Sequence, residues 1–119
     1  MGSRRHAVFR DLSMADEVLT ELSATIRARR SATADASYTR SLLDGGVERC
    51  ARKFGEEAVE AIVAALGADD QSVKSEAADV VFHLLVLLEA RRIAIEDVLQ
   101  VLAQRQGVSG HAEKASRQK

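Results

Sequence analysis

Four carboxylates in two short clusters carry the most legible chemistry in this chain: Glu57-x-x-Glu60, a spacer spanning residues 61–75, and Glu76-x-x-Asp79. Each cluster sits on a stretch that reads as helix, and the second runs into the apolar segment AADVVFHLLVLL (77–88). An acidic side chain buried among Val, Phe and Leu is costly unless a cation or a donor meets it. Asp79 is therefore expected in an apolar setting with a partner. Two such helices facing each other would form an all-oxygen cage, the donor set of Mg²⁺, which usually serves phosphate chemistry.

Neither cluster is decisive alone. At ~100° per residue, Arg49, Lys53, Glu56, Glu57 and Glu60 share one face of their helix. That face reads equally as a solvated surface knit by i,i+4 pairs such as Lys53 with Glu57. On the next helix Glu76, Asp79 and His83 lie at i, i+3 and i+7, and the same stripe continues as Leu87. A solvated face would stay polar along its length, so Asp79 needs either a cation or an arginine partner from another helix. His83 reads as a hydrogen-bonded core residue or as a group orienting Asp79, one turn away. Taken together, four carboxylates converging on one point repel each other unless divalent cations neutralise them. Arg49, Arg52 and Lys53, a turn or two upstream, would meet the phosphate oxygens of a substrate completing such a site.

These side chains need an antiparallel helix pair to hold them. A helix from about Val47 to Leu66, stopped by Gly67, presents Val47, Phe54, Ala58, Ala61 and Ala65 opposite its charged face. A short Gly-Ala-Asp-Asp turn leads to a helix capped by Asp69 or Asp70 and reaching about Arg91, close enough to force antiparallel packing. Before them, Ser13 and Asp16 form an N-cap pair, and Ala15, Val18, Leu19, Leu22 and Ile26 mark an amphipathic helix ending near Arg30 in cations that suit its dipole. Residues 31–46, small and polar with a Gly-Gly close, read as a connecting loop or a short helical turn. A last helix, about Ile95 to Gln106, turns Val98, Leu99 and Leu102 inward. Residues 1–12 read as a loose arm, 13–106 as the domain, and 107–119 as a polar, disordered tail.

Composition agrees with an all-α fold. Among 119 residues there is no proline, and aromatics are 3 % of the chain, which suits helices better than sheets. A net charge of −1 provides no field for nucleic acid or an anionic membrane. Cys50 alone excludes an internal disulfide and fits a reducing compartment; its neighbours Ala51 and Phe54 suggest packing, not a catalytic thiol. The apolar stretches are too short to span a bilayer, and no apolar core of a signal peptide is present. The expected compartment is the cytoplasm. Serine-triad, zinc, P-loop and Gly-rich dinucleotide patterns are absent.

E-x-x-E, a spacer, then E-x-x-D is the pattern of the all-alpha nucleoside triphosphate pyrophosphatases, the group including MazG proteins and dimeric dUTPases. Within it the chain closely resembles the phosphoribosyl-ATP pyrophosphatase family through SYTRSLLDGG (37–46), ARKFGEEAVEAIVAAL (51–66), SEAADVVFHLLVLL (75–88) and EDVLQVL (96–102). The acidic motif alone marks the superfamily; the Ser-Tyr-Thr element and the Lys-x-Gly-Glu-Glu-Ala-x-Glu run are more specific. The resemblance implies a MazG-like bundle of four to five helices completed by dimerisation, hydrolysing phosphoribosyl-ATP with Mg²⁺. It implies Glu57, Glu60, Glu76 and Asp79 as metal ligands, and Glu56, Glu57 and Glu60 as catalytic carboxylates. Ser37, Tyr38, Thr39, Arg49, Arg52 and Lys53 would bind the substrate. The product would pass to a separate phosphoribosyl-AMP cyclohydrolase, whose cysteine-rich ligands this chain lacks. A house-cleaning nucleotide pyrophosphatase and a non-catalytic helical dimerisation module are the alternatives. One departure stands out: where the family commonly has Gly-x-Ser or Gly-x-Thr before the last helix, this chain has Arg92-Ile93-Ala94, so both capping devices are expected to be missing, at about 1 kcal/mol for the N-cap.

Overall fold

The structure, a computed structural model, describes residues 14, 17–33 and 37–106. The arm 1–12, the Ser13/Asp16 cap pair with Ala15, and the tail 107–119 lie outside the described residues. Helix α1 covers residues 17–28 and tightens into a 3-10 turn at Arg29–Ser31. It is followed by α2 (Tyr38–Asp44), α3 (Gly46–Ala65), α4 (Asp70–Ala90) and α5 (Ile95–Arg105), with no strand among the described residues. The fold is all-α.

Helices α3 and α4 form the hairpin expected from the short turn, and they pack on each other more extensively than α2 packs on either. Asp69 caps α4: its side chain accepts from the Gln71 amide at 3.0 Å and the Ser72 hydroxyl at 2.7 Å. Those hydrogen bonds, Ser72 first, hold its carboxyl below the usual range. The core draws on every helix: Ile26 from α1, Leu42 and Leu43 from α2, Cys50 from α3, Leu85 and Val86 from α4, and Ile95 from α5. Each of the Leu, Ile and Val side chains contributes about 1.5–3 kcal/mol on burial. The Cys50 thiol donates to the Leu42 carbonyl at 3.2 Å, and burial pushes it up despite Arg49 and Arg30.

Three local expectations need correction. The segment 31–46 is not only a connection: Tyr38–Asp44 is a full α-helix, because Ser37 caps it and Leu42 and Leu43 bury its inner face. The end of α3 does not use a left-handed glycine. Gly67 has no positive φ, and the last turn closes through αR residues with the Leu66 amide bonded to Ile62 and Val63. Leu102 is exposed, whereas Val98 and Leu99 do pack on the core.

The end of α4 is capped after all. The Ile93 amide reaches the Leu88 carbonyl and the Arg92 amide the Glu89 carbonyl, both at 2.9 Å. This is a Schellman closure, with Arg92 taking the left-handed position at φ 60°. Ala94 precedes α5 without a side-chain cap, as expected. One turn earlier the buried Glu89 clamps α1 to α4. Arg27 Nε donates to Oε1 at 3.1 Å, Arg30 Nε donates to Oε2 at 2.7 Å, and Arg30 Nη2 donates to the Glu89 carbonyl at 2.6 Å. Burial pushes the Glu89 carboxyl up, but the two guanidiniums outweigh it and hold it below its ordinary value.

Candidate active site

The α3–α4 hairpin brings Glu57, Glu76 and Asp79 together: one oxygen from each lies within 4.8 Å of the other two. Their burial differs from the expectation. Glu57, placed by its helix face among solvated charges, is 7 % exposed, while Asp79 faces solvent. The reversal is a packing effect. The Glu57 edge of α3 turns against α4, and Asp79 lies on the side of α4 that no described element covers.

Two features fit this cluster to a divalent cation. Glu76 Oε2 is fully buried and has no hydrogen-bond partner among the described residues, a costly state for a carboxylate oxygen. Glu60 stands beside the three and is not one of them. Its carboxyl is pushed above the usual range, first by the charge of Glu57, then by a hydrogen bond with Glu57 and the charge of Glu76. Like charges crowd here with one nearby cation among the described residues, Lys53, whose Nζ lies 3.5 Å from Glu57 Oε1 and 3.4 Å from Glu56 Oε2. The donor set is all oxygen and carboxylate-rich, which suits a hard cation such as Mg²⁺.

Beside the cluster opens a cavity of about 380 Å³ lined by Tyr38, Leu42, Arg49, Arg52, Lys53 and Glu56. Three cations on one wall give it a chemistry that suits polyanions. The Lys53 ammonium is raised, first by Tyr38 and then by its hydrogen bond to Glu56. Of the 37–39 segment only Tyr38 lines this space. Ser37 is buried with its hydroxyl accepting from the Arg40 amide at 3.1 Å, and the Thr39 residue is also buried. Ser37 thus builds the helix that carries Tyr38.

His83 is buried, and both its nitrogens are engaged: Nδ1 with the Asp79 carbonyl at 2.8 Å, and Nε2 with the Tyr38 hydroxyl at 3.3 Å. That is the geometry of a hydrogen-bonded core residue; Nδ1 meets the backbone carbonyl of Asp79, and no contact of the ring with the Asp79 carboxylate is seen among the described residues. The Tyr38 contact carries no sequence signal, because it joins residues 45 apart along the chain.

Comparison with known proteins agrees with this geometry. A family model described as phosphoribosyl-ATP pyrophosphohydrolase matches residues 19–106. A protein of Ruegeria pomeroyi named phosphoribosyl-ATP pyrophosphatase is 55 % identical over 102 residues, covering 86 % of this chain and 97 % of its own. Its namesake in Dinoroseobacter shibae is 56 % identical over 100 residues, covering 84 % and 98 %. That of Azorhizobium caulinodans is 52 % identical over 101 residues, covering 85 % and 93 %.

Proposed function

The chain belongs to the phosphoribosyl-ATP pyrophosphohydrolase family, and on that premise we propose how its side chains divide the reaction. The enzyme hydrolyses phosphoribosyl-ATP to phosphoribosyl-AMP and pyrophosphate, a step of histidine biosynthesis. Water adds across the anhydride joining the α- and β-phosphates, and pyrophosphate leaves.

Glu57, Glu76 and Asp79 hold Mg²⁺, which supplies Lewis-acid polarisation of the phosphates. The observation that carries this reading is the three-carboxylate cluster with its orphaned oxygen, set against a cationic cavity. Arg49, Arg52 and Lys53 bind the phosphate chain and offset the charge that builds on departing pyrophosphate. Lys53, touching both Glu56 and Glu57, registers the substrate against the acidic cluster. Glu60, next to the cluster and exposed to water, takes the proton of the attacking water. Glu56 orients Lys53 from the cavity wall. Ser37 and Thr39 contribute by building α2, and Tyr38 contributes directly from the wall.

The active form is a homodimer. Val59, Ile62, Val63 and Leu66 recur at i, i+3, i+4 and i+7 along the end of α3, and all four are exposed, Leu66 to 84 %. Such an apolar stripe is a poor solvent face and a good seam for a second copy. No helix among the described residues is long and apolar enough to cross a membrane. The enzyme works in the cytoplasm, where a separate phosphoribosyl-AMP cyclohydrolase takes its product.

The test is pyrophosphate release from phosphoribosyl-ATP with and without Mg²⁺, beside ATP, dUTP and other deoxynucleotides. Fast release from phosphoribosyl-ATP that vanishes with chelator is expected. Equal turnover of the ordinary nucleotides would move the protein to a house-cleaning role.

A further inference from the structure

Tyr38 stands on a seven-residue helix with 53 % of its surface exposed, yet it forms part of the cavity wall. An exposed phenol on so short an element needs something to fix its direction. His83 is the neighbour that can. Its ring meets that of Tyr38 edge-on, with centroids 6.1 Å apart and planes at 77°. A carbonyl oxygen only accepts, so the Nδ1 facing Asp79 carries a hydrogen; in the neutral ring Nε2 is then an acceptor. The Tyr38 hydroxyl therefore donates to Nε2, and its oxygen lone pairs remain for the cations of the cavity. Lys53 lines that same cavity together with Arg49 and Arg52.

We propose that His83 is a positioning residue: seated on the Asp79 turn of α4, it accepts the hydrogen bond of the Tyr38 hydroxyl and so fixes the phenol on the wall where Arg49, Arg52 and Lys53 would meet the substrate's phosphates. The proposal rests on the functional reading above, and it ties the backbone of α4 at Asp79 to the cavity wall through one imidazole. Phe82 also packs edge-on against this ring, at 5.1 Å, so the imidazole is held from two sides.

The test separates the two nitrogens. His83→Asn keeps a polar group near the Nδ1 position and removes the one that reaches Tyr38; His83→Gln keeps an acceptor at the far position. The chain has one tyrosine and no tryptophan, so ultraviolet resonance Raman spectra report the hydrogen-bonding state of Tyr38 alone. The native protein and His83→Gln should show a donating phenol, and His83→Asn should lose that signature, all without substrate. In turnover, His83→Asn and Tyr38→Phe should each raise KM for phosphoribosyl-ATP about 3- to 10-fold, the worth of one ordinary hydrogen bond. The loss should fall on KM more than on kcat. The double variant should be no worse than either single one, and His83→Gln should restore most of the loss. Identical Raman spectra for native protein and His83→Asn would overturn the proposal, as would additive losses in the double variant or equal KM values for the Asn and Gln variants. If His83→Asn does not fold, Tyr38→Phe with unchanged KM overturns it instead. A native protein that fails to turn over phosphoribosyl-ATP refutes the functional reading, and the Raman comparison still decides the contact.

Discussion

Helix α4 carries two carboxylate sites, centred on Glu76 and Glu89 and about 20 Å apart along its axis, and they are opposites. At its C-terminal end Glu89 is enclosed and satisfied: two arginines of the α1 segment supply charge and hydrogen bonds to both oxygens. In its N-terminal half Glu76 and Asp79 meet Glu57 and Glu60 with Lys53 as the one nearby cation among the described residues, where Glu76 Oε2 also finds no partner. Both arrangements desolvate acids, which costs several kcal/mol per ion unless compensated. The chain supplies the compensation at one end and not at the other, where a bound cation would supply it. A satisfied acid holds the fold together; an unsatisfied cluster is what function needs.

The largest effect should come from removing charge at the unsatisfied end. Glu57→Gln or Asp79→Asn should cut turnover by about 10³-fold or more, the scale of losing charge stabilisation worth several kcal/mol. The helical circular dichroism of the variants should stay native, and in chelator they should be no less stable than the parent, because like charges have been thinned. Near-normal rates in either variant would show that the cluster does not hold the metal.

Next comes the satisfied end. Glu89→Gln should cost about 2 kcal/mol in urea denaturation, below the range for fully buried pairs because Arg27 is largely solvated. Its activity per folded molecule should stay within about twofold of native. A large loss of kcat with full stability would erase the contrast between the two ends.

The two ends also respond to pH with opposite signs. Glu89 is held below its ordinary value, so its contribution is complete above the unfolded carboxyl's pKa of about 4.3 and disappears as pH falls through the lower folded value. Glu60 is held above its ordinary value, so in chelator its protonated form favours the fold at acid pH, and that advantage fades as pH rises through the raised value. Unfolding midpoints measured with chelator should show a smaller acid-side loss in Glu89→Gln than in the native protein. They should show a smaller neutral-side loss in Glu60→Gln.

The hairpin and its cap were legible in the sequence because their signals are local: Asp69 before a long apolar run, and a short polar turn between two periodic segments. The carboxylate cluster was legible from spacing, since α3 and α4 can face each other in few ways. Other features depended on which neighbour lies where. Burial of Glu57 and exposure of Asp79 follow from how the hairpin faces are turned, and α2 was obscured by the small, polar residues around it. The clamp left a trace: Arg27 and Arg30 at i, i+3, and an isolated Glu89 at the end of LLVLLEA. Pairing residues some sixty positions apart needs the tertiary fold.

The smallest effect lies where α4 ends. Arg92 occupies a left-handed position that costs an L side chain about 1–2 kcal/mol. Arg92→Gly should therefore stabilise the protein by about 0.5–1 kcal/mol after the added flexibility of glycine in the unfolded chain is counted. Thermal unfolding checks the sign, and activity should not move.

The most direct test of the contrast is thermal unfolding of the native protein, Asp79→Asn and Glu89→Gln, each with millimolar Mg²⁺ and with chelator. A cation bound only by the folded cluster raises stability by mass action. Mg²⁺ should raise the midpoint of the native protein and of Glu89→Gln alike, and leave Asp79→Asn unmoved. An equal shift in all three, or none in the native protein, would contradict a divalent-cation site at Glu57, Glu76 and Asp79.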